Sequence, residues 1–226
     1  MSATLTENFV LDKFTAIDFL TNERNKTILL TDISWEEYEM FLEDFEEKAG
    51  WHLTYDGGKL EIMPPLMEHE TPSRSIDLFV WAYCEHFGLT FESAGSTTFR
   101  RKLKRKGVEP DACFFVQTAE KVIGQSETLD PDNYPVPDVA VEIDVTHGSL
   151  DKFSIYATLE VPEIWLFDGK NLSFYELRNE NYHQISNSRA LPKLSAENLS
   201  DFLQISKKKR QFFAVKSFKN WLSKQS

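Results

Sequence analysis

Three carboxylates stand where they could do chemistry together. Asp111 heads the apolar run "ACFFV", and Glu142 and Asp144 lie two residues apart in "VAVEID". If the two runs are neighbouring strands, the acids meet. Two or three oxygen ligands on a rigid sheet suit Mg²⁺ or Mn²⁺, hard ions that keep several waters and accept a phosphate oxygen as a further ligand. Such an ion orients and activates a water and stabilises charge on a phosphoryl oxygen. A glycosidase-like carboxylate pair is another chemistry open to two acids.

The alternation around Glu142 sharpens the reading. Successive strand side chains point to opposite faces, so Val139, Val141, Ile143 and Val145 share a core face while Asp138, Ala140, Glu142 and Asp144 share an acidic one. Buried carboxylates without compensation cost several kcal/mol each, so a positive group is expected opposite. Lys152 is the candidate. It falls in the first turn of the next expected helix, where a cation opposes the helix dipole by roughly 0.3–1 kcal/mol, and attraction to Glu142 or Asp144 would offset that penalty. In a substrate complex its ammonium could hold a water or the scissile phosphate. The alternative is a plain surface lysine. Either way it is expected to be solvent-accessible, so that its removal leaves the fold nearly intact.

The elements that must position these residues follow from pattern and punctuation. Ser34 and Glu37 form a capping box for an amphipathic helix carrying Tyr38, Phe41, Leu42 and Phe45 up to Gly50. Asp56-Gly57-Gly58 makes a hairpin turn, and a helix is expected from Met67 to Phe87, with Ile76, Val80, Tyr83 and Phe87 on one stripe before Gly88. His69 shares that stripe and reads as a hydrogen-bonded packing histidine. Pro72 weakens the first turn, so Glu68, His69 and Glu70 could instead lie in a loop, and which of them joins a site stays open. Extended segments follow through "LTFES", "STTFRRKLKRKG" and "EPDACFFV", then a polar connection over 117–136. Ser149 is the expected cap of a helix from Leu150 to Leu159, closed by Pro162. Another hairpin turns at Asp168-Gly169, a strand lies near Tyr182 to Ile185, and two helices span Ser195–Gln204 and Lys208–Leu222. The sum is an α+β (α/β layered) architecture, a central mixed sheet flanked by helices, with residues 1–190 as the main domain and 191–226 as a basic helical tail packed on it or extending from it.

Composition bounds the setting. The chain has 226 residues, 41% hydrophobic and 27% charged, enough for one well-buried core. Cys84 and Cys113 lack any CxxC partner, which excludes a zinc ribbon or disulfide framework and fits a reducing cytoplasm. Neither a signal peptide nor an apolar run of membrane-spanning length is visible. The net charge of −11 argues against indiscriminate coating of nucleic acid, yet the charge is segregated. Residues 36–47 hold seven acids, "RRKLKRK" (100–106) holds six bases in seven, and Ser206–Ser226 holds seven bases and no acid. Arg101, Lys104 and Lys106, leading toward the strand of Asp111, are the candidate nucleic-acid contacts.

"GVEPDACFFV" and "PDVAVEIDVTHGSLDKFSIYATLEVPEIWLFDG" together resemble the bacterial Uma-type restriction-endonuclease family, a branch of the PD-(D/E)XK nuclease superfamily, over roughly residues 30–180. The second stretch keeps in order the acidic strand, a Lys-x-x-x-Tyr helix and a Val-Pro-Glu-x-Trp strand. The resemblance implies a restriction-endonuclease-like fold, DNA as substrate, and Mg²⁺ (or Mn²⁺) held by Asp111 and Glu142 with Asp144 as a further acid. It also implies a lysine that assists the attacking water. The superfamily's usual position for that lysine, two after Glu142, holds Asp144; Lys152, four before Tyr156, stands where the family commonly places one on the next helix. Cutting both strands of a duplex implies a homodimer. The alternative reading is a non-catalytic nucleic-acid-binding or protein-interaction module that keeps the fold.

Overall fold

The computed structural model describes residues 27–45, 50–64, 67–122, 135–144 and 150–225. In chain order its elements are β1 (Ile28–Leu30), α1 (Trp35–Phe45), β2 (His52–Asp56), β3 (Lys59–Met63), α2 (Met67–Phe87), β4 (Glu92–Ser93), β5 (Phe99–Arg101), β6 (Lys106–Val108), β7 (Ala112–Phe115) and β8 (Val139–Ile143). They continue with α3 (Lys152–Leu159), β9 (Glu163–Phe167), β10 (Leu172–Arg178), β11 (Asn181–Ile185), α4 (Ala196–Lys209) and α5 (Gln211–Leu222). Val145 and Ser149 lie outside the described residues.

The mixed, helix-flanked sheet expected from the sequence has six strands in the order β11-β10-β9-β8-β7-β4. Its β8–β9 pair is parallel, and α3 forms the crossover between those strands. A second sheet, β1-β3-β2-β6-β5, is antiparallel throughout. Both hairpin turns fall where the Gly-containing dipeptides placed them, with Gly57 and Gly169 at positive φ.

Three apolar clusters hold these layers. One face of the larger sheet presents Val139, Val141, Ile143, Trp165 and Phe174 to Ile76, Phe79 and Val80 of α2 and to Phe202 and Phe218 of α4 and α5. The opposite face presents Ala140 and Ile164 to Ile155, Tyr156 and Leu159 of α3, with Phe99, Val108 and Phe115 beside them. Thus β8 is buried on both sides, its acidic face included. The smaller sheet packs on α1, where the Tyr38 ring stacks on Tyr55 at 4.8 Å between centroids. Gly107 on β6 lies beneath Tyr38, and a Cβ there would fall 2.7 Å from Tyr38 Cζ, so this contact requires glycine.

One local expectation changes, and one alternative closes in favour of the expected helix. Asp151, not Ser149, caps the third helix, its carboxylate accepting from the Ser154 amide, and the helix begins at Lys152 rather than Leu150. Pro72 does not break α2, which runs unbroken from Met67 to Phe87 and so places His69 on a helix.

Candidate active site

The β7–β8 register pairs Ala112 with Val141, and the Asp111 amide donates to Val141 O at 3.0 Å. Asp111 stands one residue before β7 and brackets Glu142, its amide bonded to Val141 O and its carboxylate accepting from the Ile143 amide. The structure therefore brings the two acids together, Glu142 on β8 and Asp111 just before β7.

The cation opposite them arrives from α3. Lys152 and Tyr156, four apart, share one helix face, and both reach Glu142. Lys152 Nζ donates to Glu142 Oε2 at 2.6 Å, and Tyr156 OH donates to Oε1 at 2.5 Å. Contrary to its expected solvent accessibility, the Lys152 side chain is only 17% exposed, and that of Glu142 is 6% exposed. Asp111 Oδ2 accepts from the Ile143 amide at 2.7 Å, while Oδ1 faces His69 Nδ1 at 3.6 Å. Ser73 donates to the Asp111 carbonyl at 2.7 Å, stitching the start of α2 to the same strand. His69 thus faces an acid, which its apolar spacing did not reveal, and its Nε2 is buried without a hydrogen-bond partner among the described residues.

Protonation follows from this packing. Burial would raise the Asp111 carboxyl, but the neighbouring His69 ring, the charges of His52 and Lys152 and the Ile143 amide together hold it below the usual carboxylate value. Glu142 moves the other way: burial and the Asp111 charge outweigh Lys152 and Tyr156 and raise it. Burial opposes the charge on Lys152, but Glu142 and Asp111 overcome it and raise the ammonium above its ordinary value. The ammonium is the securely ionised member of the pair.

Other acids sort by their contacts. Asp138, on the supposed acidic face, accepts from the Val116 and Thr118 amides and the Thr118 hydroxyl, and so anchors the start of the next loop. Asp144 is half-buried on the wall of a pocket of about 200 Å³ that also includes His69, Glu142, Asp151, Lys152 and Phe153. Glu70 lies 3.9 Å from Arg74 on an exposed stretch of α2. The side chain of Glu68 is outside the described residues. Behind Asp111, Glu109 accepts from the Leu53 amide and the Thr98 hydroxyl at 2.8 and 2.6 Å, and His52 Nδ1 meets the Glu109 carbonyl at 3.3 Å. Glu61, buried on β3, adds negative potential at Lys152. Tyr156, Glu109, His52 and Glu61 had not been placed in the site. The Lys-x-x-x-Tyr spacing was the available signal for Tyr156; the other three join through pairing between β2, β3 and the segment after β6.

The basic run sits on the β5–β6 turn of the smaller sheet. Arg101 pairs with Glu160 at 3.1 Å, Lys102 with Glu36 at 3.3 Å, and Lys106 with Asp56, while Lys104 is exposed. Much of its charge is engaged within the protein.

Among the described residues, no three His, Cys, Asp or Glu side chains converge as a ready metal site. A Mg²⁺ ion, however, needs only one or two carboxylates beside its waters and substrate oxygens. Asp111 and Glu142 are the two carboxylates available to such an ion, and His69, whose Nε2 has no hydrogen-bond partner among the described residues, lines the pocket with Glu142.

The family model described as "Uma2: Putative restriction endonuclease" matches residues 35–206. The chain belongs to the Uma2 family. The Uma2 match runs from α1 into α4 and takes in Asp111, Glu142, Lys152 and Tyr156; α5 lies beyond it. A solved structure described as a "putative nuclease belonging to DUF820" from Anabaena variabilis ATCC 29413 is similar at 13% identity and a TM-score of 0.43, covering 67% of this chain and 90% of that one. No curated protein matches the chain.

Proposed function

We propose that this Uma2-family protein is a divalent-metal-dependent endonuclease that hydrolyses DNA phosphodiester bonds. The observation that carries the proposal is the contact of Lys152 Nζ with Glu142, delivered from a helix to the strand whose Val141 carbonyl and Ile143 amide hold Asp111. It supplies, from a different element, the ammonium that the superfamily pattern has two residues after its glutamate. Asp144 at that position is then no obstacle.

Asp111 and Glu142 would hold Mg²⁺ or Mn²⁺, with Asp144 on the pocket wall as a further acid, and the bound ion would supply Lewis acidity toward a phosphoryl oxygen and lower the pKa of water. Lys152, held protonated by two carboxylates, acts as a donor: it orients the attacking water or takes charge developing on the phosphate, and it does not serve as the base. Tyr156 occupies the second oxygen of Glu142 and fixes that carboxylate against rotation. His69 keeps Asp111 ionised below the usual range. Exposed Lys104 contacts a phosphate, with Arg101 and Lys106 completing a basic edge. A double-strand cut calls for two such sites, so the working form is a homodimer, and its setting is the cytoplasm.

The test is cleavage of supercoiled plasmid and single-stranded oligonucleotides with Mg²⁺, Mn²⁺ or chelator, beside Asp111→Ala and Glu142→Ala. Metal-dependent products from the parent and none from the variants are expected. A parent inert with every metal but still able to bind DNA would overturn catalysis and leave a non-catalytic module.

A further inference from the structure

Outside the family match, the junction of α4 and α5 joins two features that the site does not use. Lys207, Lys208, Lys209 and Arg210 are four consecutive exposed cations, and Phe212 and Phe213 directly after them are 72% and 52% exposed. The two rings meet edge to face at 5.5 Å between centroids. Part of the charge has a local explanation, since cations in the last turn of α4 complement its dipole. That leaves the rings unexplained. Exposing two adjacent large apolar side chains forgoes the stabilisation their burial would bring, and the same helix buries Ala214, Phe218 and Leu222 on its inner side.

The backbone at the junction is unusual as well. Arg210 is at once the C-cap of α4 and the N-cap of α5, with φ 75° and ψ 154°, a region occupied essentially by glycine alone. The junction is also fastened to the helix that carries His69. Gln211 Nε2 donates to Thr71 O and to Ser75 Oγ at 3.2 Å each, and Ser75 shares a buried hydrogen bond of 2.8 Å with Ser206. Thr71 is two residues from His69 on α2, so the corner and the pocket lie at the same end of that helix.

We propose that this corner is a binding platform for single-stranded DNA, with Lys207–Arg210 on successive phosphates and Phe212 and Phe213 stacking on unpaired bases beside the cleavage pocket. The proposal deepens the nuclease reading and rests on it for the direction in which the strand runs. Its chemistry is that of single-strand binders, which combine cations tracking the backbone with aromatic faces tolerant of any base. Charge complementarity selects this occupant: four cations without an intervening acid are presented on a protein of net charge −11. A membrane surface fits less well, because a helix lying in a bilayer uses a continuous apolar face, and that of α5 is already buried.

The test is fluorescence anisotropy of a labelled single-stranded oligonucleotide and its duplex, in chelator so that cleavage plays no part. The parent is compared with Phe212→Ser/Phe213→Ser and with Lys207→Gln/Lys208→Gln/Lys209→Gln/Arg210→Gln. The phenylalanine variant should lose about ten- to hundredfold in single-strand affinity and much less for the duplex. The lysine and arginine variant should reduce the salt slope by about three, at roughly 0.7 for each phosphate contact. Equal affinity and slope in parent and corner variants overturn the platform. So does an effect of the phenylalanine change on anionic vesicle binding, or on oligomeric state, without one on single-stranded DNA. A parent that binds through the corner and cleaves nothing overturns the nuclease reading and leaves the platform standing; a parent that cleaves while the corner variants bind and cleave equally does the reverse.

Discussion

Replacing Lys152 with Met removes one half of a nearly dry ion pair and leaves the other half in place. At 2.6 Å and an effective dielectric of about 20, the attraction is about 6 kcal/mol before the cost of desolvating both groups. That cost cancels much of it, so the useful number is the penalty for stranding Glu142, about 3–5 kcal/mol for a buried pair broken on one side. For a domain of this size the melting temperature should fall by roughly 6–20 °C. Glu142 left alone is raised further and can neutralise itself with a proton, so the native state binds that proton more readily than the unfolded state. The deficit therefore shrinks as pH falls and is greatest above neutrality. Glu142→Gln strands the ammonium in the same way, whereas the two changes together leave neither charge of the pair and should recover about 2 kcal/mol or more relative to the sum of the singles. Chemical denaturation of the four proteins at pH 5 and pH 8 measures all of this, and plasmid cleavage well below each melting point measures rate separately, with a loss of about 10²-fold or more expected for Lys152→Met. A stability cost under about 1 kcal/mol together with an additive double variant would refute the reasoning, because it would mean the pair is solvated.

Tyr156→Phe should cost about 1.5–3 kcal/mol for a hydrogen bond to a charged group and move the acidic limb of the cleavage pH profile upward, since the hydroxyl favours the ionised Glu142; an unmoved limb would remove Tyr156 from the site. Burial raises Glu109 above its ordinary value of 4.5, so its contribution to stability is present below that value and is lost as pH rises through the folded-state pKa. Glu109→Gln should flatten that portion of the stability profile, read from melting temperatures between pH 4 and 8. Arg210→Gly should relieve the conformation at the α4–α5 junction and stabilise the fold by about 1 kcal/mol or more while weakening single-strand binding. Gly107→Ala should cost about 1–3 kcal/mol by overpacking against Tyr38, measured by urea denaturation.

The parts of the fold visible in the sequence are those with local causes. The hairpins at Gly57 and Gly169 announce themselves through turn chemistry, α2 through its long apolar stripe, and the Asp111–Glu142 pairing through acids at matching places on two apolar runs. The smaller sheet escaped a separate reading because β1, β5 and β6 are three residues each, too short to show a period. Ser149 and Asp151 are both good caps two residues apart, and sequence alone does not choose between them. Lys152 was legible as a partner of Glu142, ten residues on, whereas the partners of Asp138, Val116 and Thr118, lie across the connecting loop and left no sequence signal. Glu109, His52 and Glu61 acquire meaning only when β2, β3 and the segment after β6 meet.

Both partners of Glu142 ride on one short helix. In a nuclease whose lysine sits on the strand itself, the acid and the ammonium keep a fixed spacing for as long as the sheet exists. Here the spacing depends on the seating of α3 between β5 and β6 on one side and β11 on the other. A small withdrawal of that helix would release Lys152 and Tyr156 from Glu142 in a single movement, since the two are four residues apart on one rigid face. For the proposed nuclease, arming the site is therefore a joint event, and an insertion, ligand or partner that unseats α3 would silence cleavage without touching any of its acids.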